Sequence, residues 1–382
     1  MLTYWVIWLL AAAGVVARDW ASPDLRRFAW IGFGVVLVLF AGLRHDVGGD
    51  WGTYVTYVER ASEMSFIDGL AIDDPGYSAV NWLGAHGFGG IYFVNLCCAA
   101  IAVAGLMIFC SRQANPALAL AVAVPYLITV VFLGYSRQSA AIGFGLLAML
   151  AVGERKEWQF LLWTTLAALF HKSALVFFVF APALYAHRFE WRHLWRLGLI
   201  GIYALGLTAL LLLPRLAWFW NSYVVISAGS IGSPSALPSL GSLEEEIVVD
   251  SSVVYSRGAQ LRLGIGLLAA AVIGILVGRR LLSGRDAWMW AISAVCVVVL
   301  FILALFKATL ADRMGLYFIP TQLVAFSMVP LLFAGRFQKP AEIVVLLGTL
   351  GLLAGWLLFA DNAFAWLPYD NVLFSLLPTG AS

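Results

Sequence analysis

Apolar residues run through this chain in long stretches that short polar segments interrupt. A helix needs about 20 apolar residues to cross a bilayer, with a range of roughly 17 to 25. The pattern therefore predicts an all-α polytopic membrane protein. The clear spans are Leu2–Ala17, Phe28–Leu43, Tyr92–Cys110, Ala117–Tyr135, Gln138–Val152, Leu197–Leu213, Leu261–Val277, Ala287–Phe306, Gly315–Ala334 and Ala341–Ala360.

The segment Gln159–Ala186 is apolar except for His171 and Lys172 near its middle, so it fits one long helix or two short ones. Cytoplasmic loops of membrane proteins carry an excess of Lys and Arg. Two helices place 14 of the 23 basic residues inside, whereas one helix gives 11 on each side. We therefore predict about twelve spans, both termini outside and a helix break near His171. The inner residues are Arg18, Arg26, Arg27, Arg112, Arg155, Lys156, Arg188, Arg192, Arg196, Arg279, Arg280, Arg285, Arg336 and Lys339.

The polar segments complete this organisation as a single integral membrane domain over residues 1–382. The first residues, MLTYW, lack the basic region of a signal peptide, so Leu2–Ala17 is interpreted as a retained span. Residues 44–91 form an outer-face loop that carries sequence motifs and an amphipathic segment. Residues 214–260 form a large external loop, either a flexible solvated connection or a lid over a substrate groove.

Composition supports the membrane assignment and excludes several functions. Hydrophobic residues make up 62% of the chain and charged residues 12%, about half the charged share of soluble proteins. The net charge of +2 implies no nucleic-acid partner. The spacing of the four cysteines and five histidines suits no metal site, and Asp73–Asp74 is best interpreted as a turn before Pro75. We expect neither a metal nor a cofactor.

The basic residues on the predicted outer side oppose the topology rule and therefore need another explanation. Ionisable groups at membrane depth are costly and are candidates for function. Together these residues, from separate sequence regions, predict an outward-facing pocket for an anion on a lipid, with phosphate the natural ligand of Arg and Lys. They are Arg44, Arg60, Arg137, Lys172, Arg215, Arg257, Arg262, Lys307 and Arg313.

Carboxylates accompany these cations after the second span, in the sequence RHDVGGDWGTYVTYVER. If this segment is helical, Asp46, Asp50 and Tyr54 lie one turn apart on one face. Gly48 and Gly49 instead favour a turn in which the backbone approaches a ligand. The segment therefore supplies candidate acids and bases in either conformation.

Two further segments place polar residues at helix ends. Arg137 and Gln138 open a span, where free backbone N–H groups favour an anion. Asp312 and Arg313 are adjacent, with Tyr317 one turn further along. Each feature has a structural alternative: an Asp312–Arg313 ion pair, an Arg44 side chain reaching the headgroups, or a hydrogen-bonded His171 in a helix break.

Six motifs follow one another between Arg44 and Asn371. They are Arg44, Gly48, Asp50 and Tyr54; Pro75, Gly76 and Tyr77; Ser136, Arg137 and Gln138; FHKSA around His171; Asp312, Arg313 and Tyr317; and Pro368, Tyr369 and Asn371. The order of these motifs resembles the EpsG family of bacterial exopolysaccharide proteins, related in role to Wzy-type polysaccharide polymerases. Many relatives carry Glu where this chain has Asp74 or Pro75, which leaves the role of a carboxylate there open.

The resemblance implies a GT-C-like fold and a polymerase on the outer face of the bacterial cytoplasmic membrane. Such an enzyme would transfer glycan from undecaprenyl pyrophosphate to a hydroxyl of the next lipid-linked repeat, alongside a flippase and a chain-length regulator. A leaving pyrophosphate needs positive charge and the hydroxyl needs a base. The expected residues are Asp50 and His171 as alternative bases, Arg44, Arg137, Lys172 and Arg313 for pyrophosphate, and Tyr54, Gln138, Lys307, Asp312 and Tyr317 in support.

Three other functions fit a cationic membrane pocket. A flippase for lipid-linked sugars would place charges through the full membrane depth, whereas these motif charges lie towards one side. A membrane acyltransferase would need a catalytic histidine, and His171 is available for that role. An O-antigen-type ligase differs from a polymerase only in its acceptor.

Overall fold

The computed structural model describes residues 1–186, 196–208, 257–305, 308–333 and 335–375. In this part of the chain the regular structure is helical, apart from one bridge between Arg44 and Asn371. The helices are α1 (Leu2–Ala17), α2 (Pro23–Gly42), α3 (Trp51–Ser62), α4 (Phe66–Ile72), α5 (Pro75–Ala85), α6 (Ile91–Ser111), α7 (Pro116–Ala123), α8 (Ser136–Gly153), α9 (Glu157–Phe170), α10 (Arg196–Thr208), α11 (Arg257–Gly278), α12 (Gly284–Ala304), α13 (Ala308–Gly315), α14 (Pro320–Met328), α15 (Gln338–Phe359) and α16 (Val372–Ser375).

Five helices in the described part of the chain are long and apolar enough to cross a membrane, and a sixth candidate is bent by 47°. The bent pair joins Ala311–Phe318 to Pro320–Leu332 and falls on the predicted span Gly315–Ala334. This count confirms a polytopic helical protein, and about twelve spans stays a prediction. The five are Pro23–Gly42, Ile91–Ser111, Gln260–Gly278, Gly284–Ala304 and Gly335–Phe359; shorter apolar helices are Leu2–Ala17, Pro116–Phe132, Lys172–Leu184 and Arg196–Thr208.

The helices present large apolar side chains on their outer surface. Phe28, Ile202 and Phe359 are 77%, 69% and 81% exposed. Soluble monomers rarely expose wide apolar patches, because water makes such surface unfavourable. The outer surface therefore suits contact with lipid chains.

The chain reverses direction at His171, as the prediction of two short helices requires. His171 has an extended backbone conformation between α9 and the 3₁₀ helix Lys172–Leu184. The 3₁₀ helix packs back along α9, and the Phe178 ring meets the Phe160 ring edge-on at 5.9 Å. A single long helix would place these two rings far apart.

The turn after α2 depends on Gly48, which has φ of +105°. A Cβ at this position would lie 2.5 Å from the carbonyl oxygen of Leu133. Only glycine fits both conditions, so Gly48 permits the turn between the end of α2 at Gly42 and the start of α3 at Trp51, with Asp50 at the N-cap of α3. The turn interpretation is therefore correct, Asp46 lies outside the helix, and the close backbone neighbour is residues 133–134 of the chain itself.

Ion pairs join helix termini at one end of the bundle, called here the basic end. The guanidinium of Arg18 is 3.0 Å from the Glu342 carboxylate, which links α1 to α15. Arg112 is 3.4 Å from Glu154, which links the C-terminal ends of α6 and α8. Further pairs at this end are Lys339–Asp19, Lys156–Glu154 and Arg196–Glu157.

The opposite end of the bundle, the motif end, carries Arg44, Asp50, Arg137, His171 and Arg313. Hydrogen bonds also gather the chain there: the hydroxyl of Tyr4 at the start of α1 donates to the carbonyl of Trp366 at 2.6 Å. The backbone N–H of Gly48 donates to the Ala365 carbonyl at 2.7 Å. The predicted inner and outer charges thus lie at opposite ends of the described bundle.

Candidate functional site

Arg44 connects several segments of the chain at the motif end through buried hydrogen bonds, and its side chain is only 1% exposed. Its Nε donates to the carbonyl of Val47 at 3.1 Å, and Nη1 donates to the carbonyl of Ala41. Its Nη2 donates to Asn95 Oδ1 at 3.2 Å and to Ser136 Oγ at 2.7 Å. Four of the five guanidinium N–H donors are thereby occupied, which leaves little capacity for a pyrophosphate.

Tyr369 and Asn371, from the last motif, contact the C-terminal end of α2, as Arg44 does. The Tyr369 hydroxyl donates to the Phe40 carbonyl at 2.8 Å, and Asn371 Nδ2 donates to the Leu39 carbonyl at 3.2 Å. The final carbonyls of a helix lack partners within it. This motif therefore caps α2 together with Arg44, and its role in the described structure is architectural.

Arg137 lies at the start of α8 and is anchored by two adjacent carboxylates. Its Nη1 forms a short ion pair with Asp73 Oδ2 and lies 3.4 Å from Asp74 Oδ2. Its guanidinium carbon also lies 5.2 Å and 5.7 Å from the ring centres of Tyr57 and Tyr77. In the described part of the chain no hydrogen bond occupies its Nε or Nη2, so one side of the fork is anchored and the other can reach a ligand.

The same two carboxylates hold the N-terminus of the 3₁₀ helix. The backbone N–H of Lys172 donates to Asp74 Oδ1 at 3.1 Å, and Lys172 Nζ lies 3.9 Å from Asp73 Oδ1. Burial and the neighbouring Asp73 charge raise the pKa of Asp74, while Arg137 and Lys172 oppose this rise. The group contains two cations and two carboxylates, so its formal charge is zero. The sequence analysis interpreted Asp73–Asp74 as a simple turn and did not reveal this group.

His171 belongs to a hydrogen-bonded chain that crosses to the bent helix. Its Nδ1 accepts from the Ser173 backbone N–H at 3.4 Å and is 2.7 Å from Ser173 Oγ. Ser173 Oγ is in turn 2.8 Å from the hydroxyl of buried Tyr317. Gln138 lies beside that hydroxyl and donates to the Arg313 carbonyl at 2.9 Å. This series of hydrogen bonds fixes the orientation of the His171 ring and the position of Arg313.

Asp50 and Arg313 face the same region of the motif end. Burial raises the pKa of Asp50, and the positive charges of Arg313 and Arg137 oppose the rise. The Tyr54 hydroxyl lies 3.5 Å from Asp50 Oδ2. Arg313 is exposed, and its guanidinium forms no ion pair or hydrogen bond with another described residue. Among the four predicted pyrophosphate ligands, Arg44, Arg137, Lys172 and Arg313, it is therefore Arg313 whose guanidinium is most available to an anion.

Asp312 forms an ion pair with Arg262 rather than with its neighbour Arg313. Both carboxylate oxygens accept from Arg262, with Nε to Oδ1 at 2.8 Å. Arg262 also stacks 5.4 Å above the Tyr126 ring centre, on a π-helical stretch after α7. The pair joins α11 to α13 and leaves Arg313 free.

Some predicted features lie outside the described residues. Lys307 and Arg215 are among them, and most of the expected external loop at 214–260 falls within residues 209–256. In the part of the chain that the structure describes, no three His, Cys, Asp or Glu side chains are grouped as a metal site would require. Tertiary partners that the sequence did not single out are Asn95 and Tyr57.

The helical bundle, its lipid-facing surface and a polar cluster at one end together define a polytopic membrane protein with a candidate site at the motif end. A family model described as the EpsG family matches residues 27–371. The chain therefore belongs to the EpsG family, a family of polysaccharide biosynthesis. No curated protein matches the chain, and no solved structure matches it.

Proposed function

We propose that this protein polymerises lipid-linked oligosaccharide repeats on the outer face of the bacterial cytoplasmic membrane. It transfers a glycan from undecaprenyl pyrophosphate to a hydroxyl of the next lipid-linked repeat. The observation that carries the proposal is the position of Asp50 beside the charges of Arg313 and Arg137, at the end of the bundle opposite the basic end. Family membership supplies the setting of polysaccharide synthesis.

The proposed reaction is a direct displacement at the anomeric carbon of the donor. The acceptor oxygen forms the new glycosidic bond as the bond to pyrophosphate breaks, and pyrophosphate leaves with the bonding electron pair. Arg313 stabilises this charge, assisted by the unanchored donors of Arg137. Lys172 adds positive charge at the start of the 3₁₀ helix. A single displacement inverts the anomeric centre.

Asp50 is the better candidate for the base that accepts the acceptor proton. Its raised pKa improves a carboxylate as a base near neutral pH. His171 Nδ1 accepts a backbone N–H, so the neutral ring carries its proton on Nε2 and acts as a donor. We therefore assign Asp50 as base and His171 as a hydrogen-bond donor. Arg44 positions the site through Ser136 instead of binding pyrophosphate.

Mass spectrometry of undecaprenyl-linked glycans in a strain lacking this protein tests the proposal. Single lipid-linked repeats should accumulate on the outer face, and surface polymer should be lost. A plasmid copy of the wild-type chain should restore polymer, whereas the Asp50→Asn variant should not.

Other outcomes would replace the proposal with a different function. Repeats trapped on the inner face would identify a flippase, and polymer that persists without an acyl group would identify an acyltransferase. Normal polymer that fails to reach its final lipid acceptor would identify a ligase.

A further inference from the structure

A small cleft lies between α3 and α5, next to the anchored cation Arg137. Its volume is about 30 Å³, enough for one or two hydroxyl-sized groups. Tyr57, Arg60, Asp73, Tyr77 and Asn81 contribute to its lining. Asp73 belongs both to this cleft and to the ion pair with Arg137, so the cleft adjoins the proposed pyrophosphate site.

Two polar atoms on the lining residues are buried without a hydrogen-bond partner in the described part of the chain. They are the hydroxyl of Tyr77 and Oδ1 of Asn81, on side chains that are 1% and 3% exposed. The Asn81 amide lies close enough to the Tyr77 hydroxyl to interact with it electrostatically, but the two do not reach hydrogen-bond geometry. Asn81 Nδ2 donates instead to the Tyr77 carbonyl at 3.0 Å. Unpartnered buried polar groups are costly and rare. Because both atoms belong to residues that line the cleft, they indicate a ligand that enters the cleft and supplies their partners.

The chemistry of the lining selects the kind of ligand. Asn81 Oδ1 and the Asp73 carboxylate only accept hydrogen bonds, so an anionic oxygen is disfavoured there. The Tyr77 hydroxyl both donates and accepts. A sugar hydroxyl can donate to Asn81 or Asp73 and accept from Tyr77, and the Tyr57 ring offers an apolar wall.

We infer that this cleft is a carbohydrate subsite, which receives a hydroxyl of the glycan while the cations bind its pyrophosphate. The inference rests on the proposed function and adds a position at which the sugar is recognised. Arg60, exposed at the lining, adds a further donor for a sugar oxygen.

Binding measurements on the purified full chain in lipid nanodiscs test this subsite with two separate probes. The first is the repeat oligosaccharide released from its lipid and phosphate, and the second is inorganic pyrophosphate. Tyr77→Phe should weaken oligosaccharide binding by about tenfold, because one hydrogen bond is lost, and should leave pyrophosphate binding unchanged. Arg313→Ala should show the opposite pattern.

The folded state provides a control for these variants. Tyr77→Phe removes a hydroxyl that has no described partner, so the melting temperature should not fall. Thr129→Val removes another unpartnered buried hydroxyl at a position that does not line the cleft, and should change neither binding nor stability. Asn81→Ala is a second cleft variant and should also weaken oligosaccharide binding.

Equal oligosaccharide binding by the wild type, Tyr77→Phe and Asn81→Ala would overturn the subsite and indicate that water satisfies these atoms. Absence of oligosaccharide binding by the wild type would overturn it as well. Neither result affects the polymerase proposal, which fails separately if a strain lacking the protein retains polymer.

Discussion

At the scale of single residues, Arg44 and Arg313 show how similar sequence positions lead to different environments. Both are basic and both lie at the motif end. Arg44 is enclosed by carbonyls of its own turn and by Ser136, whereas Arg313 is exposed without an ion pair in the described structure. Arg44 therefore contributes to folding, and Arg313 is available for an anion.

Arg44→Ala should lower the stability of the protein. The change leaves buried acceptors such as the Val47 carbonyl without a donor, at a cost of roughly 1–3 kcal/mol for each group. Thermal unfolding in detergent should show a lower midpoint, and polymer should fall with the amount of folded protein. Arg27→Ala, at an exposed residue in the first turns of α2, should leave both unchanged. An unaltered midpoint for Arg44→Ala would contradict a stabilising role for the buried hydrogen bonds of Arg44.

Arg313→Ala should abolish polymer without changing the unfolding midpoint. The side chain makes no described contact that supports the fold, whereas the proposed reaction needs its charge on the leaving group. Polymer and protein abundance measured in the same cells separate the two effects. Arg313→Lys should retain part of the activity, because it keeps the charge but loses the bidentate fork. Wild-type polymer from Arg313→Ala would exclude the proposed role.

The chemistry-bearing residue types could be predicted from sequence, but their partners could not. Basic residues that oppose the topology rule indicated the motif end, and Asp73–Asp74 was correctly interpreted as a turn. The pairing of Asp73 with Arg137 joins residues 64 positions apart. It depends on how α5 packs against α6 and α9, which both pack against α8. No local pattern carries that information, and the same limit hid the Arg262–Asp312 pair.

At the scale of elements, two glycines allow α6 and α8 to pack closely against each other. A Cβ at Gly105 in α6 would lie 2.2 Å from the carbonyl oxygen of Gly143 in α8. A Cβ at Gly143 would lie 2.6 Å from the Ile101 carbonyl oxygen. Small residues let transmembrane helices approach closely. This crossing brings Asn95 of α6 to Ser136 of α8, where both contact the Arg44 guanidinium.

Gly105→Ala should therefore disrupt the packing of α6 against α8. Overpacking in a tight interior costs about 1–3 kcal/mol, and here the obstacle is backbone that cannot rotate away. A reduced unfolding midpoint and reduced polymer are expected together. Gly32→Ala is the matched control, because a Cβ there has no neighbour within 4 Å. Equal midpoints for the two variants would show that α6 and α8 are farther apart than described.

The link from the α4–α5 turn to α8 should appear as energetic coupling between Arg137 and Asp73. Arg137→Ala removes one of the two cations beside Asp73 and Asp74 and should lower the unfolding midpoint. Adding Asp73→Asn should recover part of that loss, because it removes one of the uncompensated charges. Strictly additive midpoint changes in the double variant would contradict the ion pair.

Long elements could be predicted from sequence more reliably than short ones. The boundaries of Leu2–Ala17 agree with α1, and the break at His171 follows from the charge count as well as from the structure. The bend between Ala311–Phe318 and Pro320–Leu332 was not predicted, because an apolar run has the same composition whether straight or broken. Residues 44–91 contain three short helices, whereas the sequence predicted a loop with one amphipathic segment.

At the scale of the whole molecule, the two ends of the bundle carry different charge patterns. Basic residues paired with carboxylates, such as Arg18 and Arg112, gather at the basic end. The motif end instead combines cations with Asp50, Asp73 and Asp74. Positive charge is retained on the cytoplasmic side of membrane proteins. The asymmetry therefore supports an orientation in which the motif end faces outwards.

Cysteine labelling of spheroplasts tests this orientation directly. Thr53→Cys, exposed in the first turn of α3, and Arg27→Cys, exposed near the start of α2, place single thiols near opposite ends of the bundle. With the four native cysteines replaced, a membrane-impermeant maleimide should label Thr53→Cys in intact spheroplasts and Arg27→Cys only after permeabilisation. The reverse pattern would place the motif end in the cytoplasm. The acceptor would then be a newly made repeat on the inner face, so this result would contradict polymerisation on the outer face. The description of the helical fold would not change.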